Sequence, residues 1–255
     1  MTFQINEELL EQIIVDALNR SSLADETTGS VARSIRLQDS QNIDAFNRLC
    51  VSQNARVLGN YQHVLDKNPL FMSERTGSLS TIHDANRAAI RMRVGENTTD
   101  EVIRQSKQYH TYQSGQSMLC FFTFGSGSQE SSITKEVGYF DDDNGLFLRI
   151  PPTGQELSFV IRSNVTGTPT ETVIPQSQWN VDQLDGNGTS GKTLDISKAQ
   201  LFLVDFQWLG VGRVRFGFDL DGIITYCHQV SNANNLETVY MSQGNLPVRY
   251  RIKNE

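Results

Sequence analysis

The residues Gly186-Asn187-Gly188-Thr189-Ser190-Gly191-Lys192-Thr193 match the spacing G-x-x-x-x-G-K-[ST] of a phosphate-binding loop. In such a loop backbone amides cradle phosphates, the lysine reaches the terminal phosphates and the hydroxyl holds Mg²⁺. The run Leu201-Phe202-Leu203-Val204-Asp205 imitates the apolar strand and aspartate that would complete the metal site. The context does not support that chemistry. A phosphate loop leaves a buried strand and opens a helix, whereas 176–185 is polar and follows Pro175. Only seven residues separate Thr193 from Leu201. A helix of that length spans roughly 10 Å, too short for the crossover to a parallel strand. The stretch reads as a Gly-rich loop between strands.

Asp141-Asp142-Asp143-Asn144-Gly145 resembles the opening of a calcium loop, but Pro152 stands where the twelfth-position glutamate belongs. It reads as a hairpin turn with solvated acids. His63, His83, His110 and His228 are isolated, without H-E-x-x-H or Cys-x-x-Cys spacing, so no metal site is expected. Gly125-Ser126-Gly127-Ser128 lacks the spacing of a nucleophile elbow. Three sequons, at Asn97, Asn164 and Asn187, carry little weight without a secretory signal. No catalytic constellation and no cofactor-binding motif emerges.

The chain that must hold these residues has 255 positions and a net charge of −7, a poor balance for non-specific nucleic-acid binding. Its longest apolar runs, such as Met118 to Phe122, are far short of the roughly 20 residues a membrane helix needs. Glu7, Glu8 and Glu11 give the first residues no secretory character. Cys50, Cys120 and Cys227 are too few and too scattered for a disulfide framework, so synthesis in a reducing compartment is expected.

Charge divides the sequence into three. Residues 1–30 carry six acids against one base, 31–116 eleven bases against eight acids, and 117–255 fifteen acids against ten bases. The last part also holds ten of the thirteen Phe and both Trp, so the main core belongs there. In the first part, Leu9, Leu10, Ile13, Ile14, Ala17 and Leu18 follow the spacing of one helical face over 6–19, with Asn6 as N-cap. Such a stripe must dock, either on its own domain or on another subunit. The middle part reads as an irregular arm with short elements, a helix near 43–54 and an edge strand over 88–94.

From Ser117 the apolar period becomes two. Strands are expected over 118–124, 136–140, 146–150, 157–162, 199–208, 213–219, 223–229, 239–241 and 248–252, separated by Gly- and Asn-rich turns. No helical pattern intervenes, which predicts a mainly β protein: an antiparallel jelly-roll-like sandwich preceded by a helix and an arm. If Asp221-Gly222 is a two-residue turn, Phe218 faces Thr225 and Phe216 faces Cys227. Arg215, Tyr226 and His228 then share the opposite face.

Several stretches are carried together: Val137-Gly138-Tyr139-Phe140-Asp141, Asn144-Gly145-Leu146-Phe147, the run from Ser177-Gln178-Trp179 to Gly186, the run from Asp205-Phe206-Gln207-Trp208 to Gly217, Ala233-Asn234-Asn235-Leu236 and Asn245-Leu246-Pro247-Val248-Arg249-Tyr250. As a set, over residues 97–252, they resemble a family of structural proteins of tailed phages and related viruses of aquatic environments, cyanophages among them. The resemblance implies a virion protein without catalytic residues. A capsid-associated cement, decoration or head-fibre protein is expected, anchored through its helix and arm on the major capsid protein or a tail or neck protein. A homo-oligomer, with a trimer as candidate, goes with such anchoring. The alternative is a tail or fibre module that binds a receptor or glycan, with Trp179, Tyr226 and His228 as stacking residues beside Arg215.

Overall fold

The computed structural model describes residues 44–45, 56–77 and 80–255, with thirteen strands and no α-helix among them. The expected helix over 6–19, with Leu9, Leu10, Ile13, Ile14 and Leu18, and nearly all of the expected helix over 43–54, lie outside the described residues.

Two antiparallel sheets carry the fold. The larger contains β1 (Phe71–Thr76), β4 (Glu101–Ser106), β13 (Val248–Asn254), β6 (Ile133–Phe140), β7 (Gly145–Ile150), β8 (Ser158–Ser163) and β9 (Thr170–Pro175), in that spatial order. The smaller contains β12 (Ile223–Val230), β11 (Val214–Leu220), β10 (Ala199–Phe206) and β5 (Met118–Gly125). A separate ribbon pairs β2 (Ser80–Asp84) with β3 (Ala89–Arg93), which meets the expected edge strand over 88–94.

Alternation explains the packing. Phe202, Val204 and Phe206 of β10 and Phe216 and Phe218 of β11 face Leu146, Leu148, Phe159 and Ile161 of the larger sheet in one core. Phe159 is its centre, stacked 4.2 Å from Trp179 and 4.7 Å from Phe216. Each such ring pair adds about 0.5–1.5 kcal/mol beyond its area burial. The outer face of the larger sheet has a second, thinner cluster of Phe140, Phe147 and Val160, all fully buried. Its roof is guanidinium: Arg162 lies 5.6 and 5.0 Å from the two rings, Arg249 lies 5.4 Å from Phe140, and Arg149 lies 5.5 Å from Phe147. Glu136, Glu171 and Asp142 pair with these arginines. Gly138 makes the close approach possible, since a Cβ there would lie 2.4 Å from the Leu146 carbonyl.

Three expectations need correction. Strands β1 and β4 fall in the stretch expected as an arm, yet both belong to the larger sheet, where β4 pairs with β13. Residues 239–241 are loop rather than strand: Tyr240 donates its N–H to the Gly210 carbonyl, and Met241 accepts from Trp208 Nε1. In the β11–β12 hairpin the turn is as expected, with Asp221 and Gly222 both at positive φ and Phe218 opposite Thr225. One extra residue then enters β12, so Phe216 pairs with His228 rather than Cys227. Cys227 still lies in the core, on the face expected for it beside Val214 and Phe216, but the bulge removes His228 from the face of Arg215 and Tyr226.

Candidate functional site

The four surface candidates do not form a ligand platform. Trp179 is only 3% exposed, stacked on Phe159, with Nε1 donating to the Ile174 carbonyl at 3.3 Å. It is core because the turn at 176–178 folds its ring between the sheets. His228 is buried, and its Nδ1 accepts from the Asn180 N–H at 3.2 Å. Arg215 and Tyr226 do stay together, the guanidinium 4.1 Å from the ring centre. Both engage Asp205, through Arg215 Nε at 3.1 Å and the Tyr226 hydroxyl at 3.2 Å. Burial outweighs the attraction of Arg215 and holds the Asp205 carboxyl above its ordinary value. Asp205 and Arg215 are buried and Tyr226 is half-buried, so the trio is part of the structure rather than an open platform; nearby in sequence, Arg213 donates to the carbonyls of Asp44 and Ala45.

The Gly-rich loop closes on its own anion. The Ser190 and Leu184 N–H groups donate to Asp182 at 2.7 and 2.9 Å, with the Thr189 hydroxyl at 3.3 Å. Burial opposes the Asp182 charge, but these hydrogen bonds outweigh it and hold the carboxyl below its ordinary value. Lys192 donates to the Leu220 carbonyl and lies 3.6 Å from Asp221. The amides that would bind a phosphate are therefore engaged. In the turn at 141–145, Asp141 accepts the N–H groups of Asp143 and Asn144, and Asp142 pairs with Arg249. Among the described residues no His, Cys, Asp and Glu cluster suits a metal, and no helix is long and apolar enough to cross a membrane.

The strongest candidate arises from unequal sheet widths. Four strands face seven, so the inner faces of β13, β4 and β1 run out past the free edge of β5. A cleft of about 2080 Å³ occupies this overhang and wraps the edge of β5. Register places Tyr250, Arg104 and Ser73 abreast, and Tyr250 and Arg104 line the cleft floor. Phe71 lies beside them, with the Arg104 guanidinium 5.2 Å from its ring. Residues 59–63 form a wall: the Tyr61 ring meets Phe71 edge-on at 5.0 Å, and the Tyr61 hydroxyl lies 3.0 Å from His110 Nε2. His63 also packs on Phe71, at 5.7 Å. Its Nδ1 accepts from the Asn68 N–H, and burial, with the charges of Arg104 and His83, keeps the imidazole below its ordinary pKa.

On the outer side of the β5 edge, Leu119 and Phe121 remain 50% and 49% exposed. The site thus combines flat rings, hydrogen-bonding side chains and several cations, of which Arg104 is the buried one. Sequence reasoning missed Arg104, Phe71, Tyr61 and Tyr250 as a site because they come from three distant stretches. The visible signal was limited to the unbalanced bases of residues 31–116.

No family model matches the chain, and no curated protein matches it. Among solved structures, the fold is similar to a legume lectin-like domain from Entamoeba histolytica, with 8% identity and a TM-score of 0.38 over 78% of this chain and 90% of that one. It is also similar to the receptor-binding domain of botulinum neurotoxin type G, with 6% identity and a TM-score of 0.32, over 72% of this chain and 41% of that one. Neither likeness transfers a residue role. The chain is an antiparallel, mainly β protein with the two-sheet build of a sandwich.

Proposed function

We propose that this chain is a recognition module, a jelly-roll-like sandwich that binds a receptor glycan in the cleft beneath β13, β4 and β1 and performs no catalysis. The observation that carries this reading is the overhang of the larger sheet, which leaves a concave, aromatic-floored surface outside the core. Ligand sites are typically concave and mostly apolar, with a few convergent polar groups. The half-buried rings of Tyr61 and Tyr250 face the C–H surface of a sugar, with the buried Phe71 ring behind Tyr61, while His63 and Arg104 offer polar atoms for its hydroxyls. The absence of catalysis is supported by the fate of the tempting motifs, whose groups are occupied by structural hydrogen bonds.

The proposed setting is the tail or fibre of a virion, on the sequence resemblance of residues 97–252. A homo-oligomer anchored through residues 1–30 goes with that setting. A capsid cement role would draw on those same residues, and no feature of the described cleft favours it over recognition.

The test is a glycan array probed with the full chain, paired with quantitative mass spectrometry of virus particles. Saturable binding to a defined glycan class, lost in Tyr61→Ala with the fold retained, is the expected result. Absence of binding to every glycan at high micromolar concentration would sink the recognition reading. Absence from particles would sink the virion setting alone.

A further inference from the structure

We infer that the cleft is built for an acidic saccharide, with Arg104 receiving the ligand's carboxylate. This deepens the recognition reading and rests on it.

Four arginines among the described residues are buried: Arg104, Arg162, Arg215 and Arg249. Three of them face a carboxylate, of Glu171, Asp205 and Asp142 respectively. Arg104 is 4% exposed and has no acidic partner among the described residues. Its Nη1 donates to the Ser73 hydroxyl at 3.0 Å, and its Nη2 reaches the Asn68 carbonyl at 3.5 Å. Its Nε–H has no acceptor at all. A buried cation without a counter-charge is costly, and natural sequences seldom keep one without use.

The two poorly used groups define the ligand chemistry. Nε and Nη2 lie on one edge of the guanidinium, the edge that a carboxylate engages with two parallel hydrogen bonds. Arg104 lines the cleft beside the rings of Phe71 and Tyr61, so an anion seated there would carry its attached sugar across aromatic surface. Little water separates charges at such a depth, which strengthens their attraction. A sulfate ester supplies the same charge without the planar geometry, and the experiment separates the two.

The experiment is calorimetric titration of the full chain with 3′-sialyllactose, a hexuronate oligomer, lactose 3′-sulfate and neutral lactose, repeated on Arg104→Lys and Arg104→Met. At least one carboxylated saccharide should bind tenfold or more tightly than lactose. Arg104→Lys should lose most of that preference because it keeps the charge but not the fork. Arg104→Met should abolish the preference and melt at or above the parent temperature, since it removes an uncompensated charge while filling the space. A sulfated sugar that binds as well as the carboxylated ones would overturn the carboxylate assignment. Equal affinity for acidic and neutral sugars, or acidic preference surviving in Arg104→Met, would overturn the inference and leave glycan recognition standing. A large fall in melting temperature for Arg104→Met would show a compensated, structural arginine and overturn it as well. No binding by any saccharide, here and on the array, would remove both.

Discussion

Arg215 sits directly opposite Asp205 on the neighbouring strand, and the pair is buried with the Tyr226 ring against the guanidinium. Burial raises the Asp205 carboxyl in spite of its partner, so the pair contributes less than its geometry suggests. Breaking it from one side is a different matter. Asp205→Ala removes the buried carboxylate that both Arg215 and Tyr226 engage and should cost about 3–5 kcal/mol. Asp205→Leu combined with Arg215→Met should return to within about 1 kcal/mol of the parent or exceed it. Urea unfolding of the two single variants and the double variant measures this coupling, and additive losses would contradict it.

Three imidazoles set the acid response. Burial holds His63, His110 and His228 below the ordinary value, and the Nδ1 atoms of His63 and His228 already accept backbone N–H groups. Unfolded, they take up protons near pH 6.5. The folded chain binds fewer protons in that range, so stability is full above about pH 6.5 and declines as the pH falls below it. Asp142, Asp182 and Glu171, all held low, add their losses only below about pH 4. The urea midpoint should therefore fall between pH 7 and pH 5, and His228→Gln should flatten the decline. A midpoint constant over that interval would refute the account.

Gly138, like Gly145 against Phe140, is a place where the outer cluster tolerates no side chain. A Cβ there would lie 2.5 Å from that of Phe147. Gly138→Ala should destabilise by about 1–3 kcal/mol through overpacking, while Gly154→Ala, at an open position, loses only what its positive φ demands. Parallel thermal melts test the contrast, and a similar loss in both would put the cause in backbone strain instead.

Lys192 separates motif from function. Its ammonium is engaged by a carbonyl and by Asp221, and the neighbouring amides are on Asp182. Lys192→Ala should change stability by less than about 1 kcal/mol, and ATP with Mg²⁺ should show no saturable binding to either protein. Saturable binding lost in the variant would reinstate the phosphate loop.

The half of the sandwich that is core on its inner side was readable residue by residue. Strands β5, β6, β7, β8, β10, β11 and β13 alternate Phe, Val, Leu and Ile with smaller or polar residues, and their expected limits lie within a few positions of those found. The two missed strands of the cleft share one physical cause. Val102, Arg104 and Ser106 share the inner face of β4, and Phe71, Ser73 and Arg75 that of β1, so a face that lines a cleft lacks the apolar period of a buried strand. The same holds for β9, an edge strand reading Thr-Glu-Thr-Val-Ile-Pro. The bulge at Phe216 and Gly217 was invisible because the turn fixes register only up to the first irregularity. Trp179 looked like a surface ring because its neighbours in sequence are polar, while its neighbours in space are Phe159 and Phe218.

The unequal widths of the two sheets also divide the molecule's evolutionary labour. Phe159, Phe202 and Phe216 sit where the sheets overlap, whereas Ser73, Arg104 and Tyr61 sit where they do not. On the recognition role proposed above, substitutions in the overhang would alter what is bound while the overlapping half keeps the chain folded. A lineage under selection for a new ligand should then accumulate variation along β1, β4 and the 59–63 wall and leave the Phe159 stack untouched.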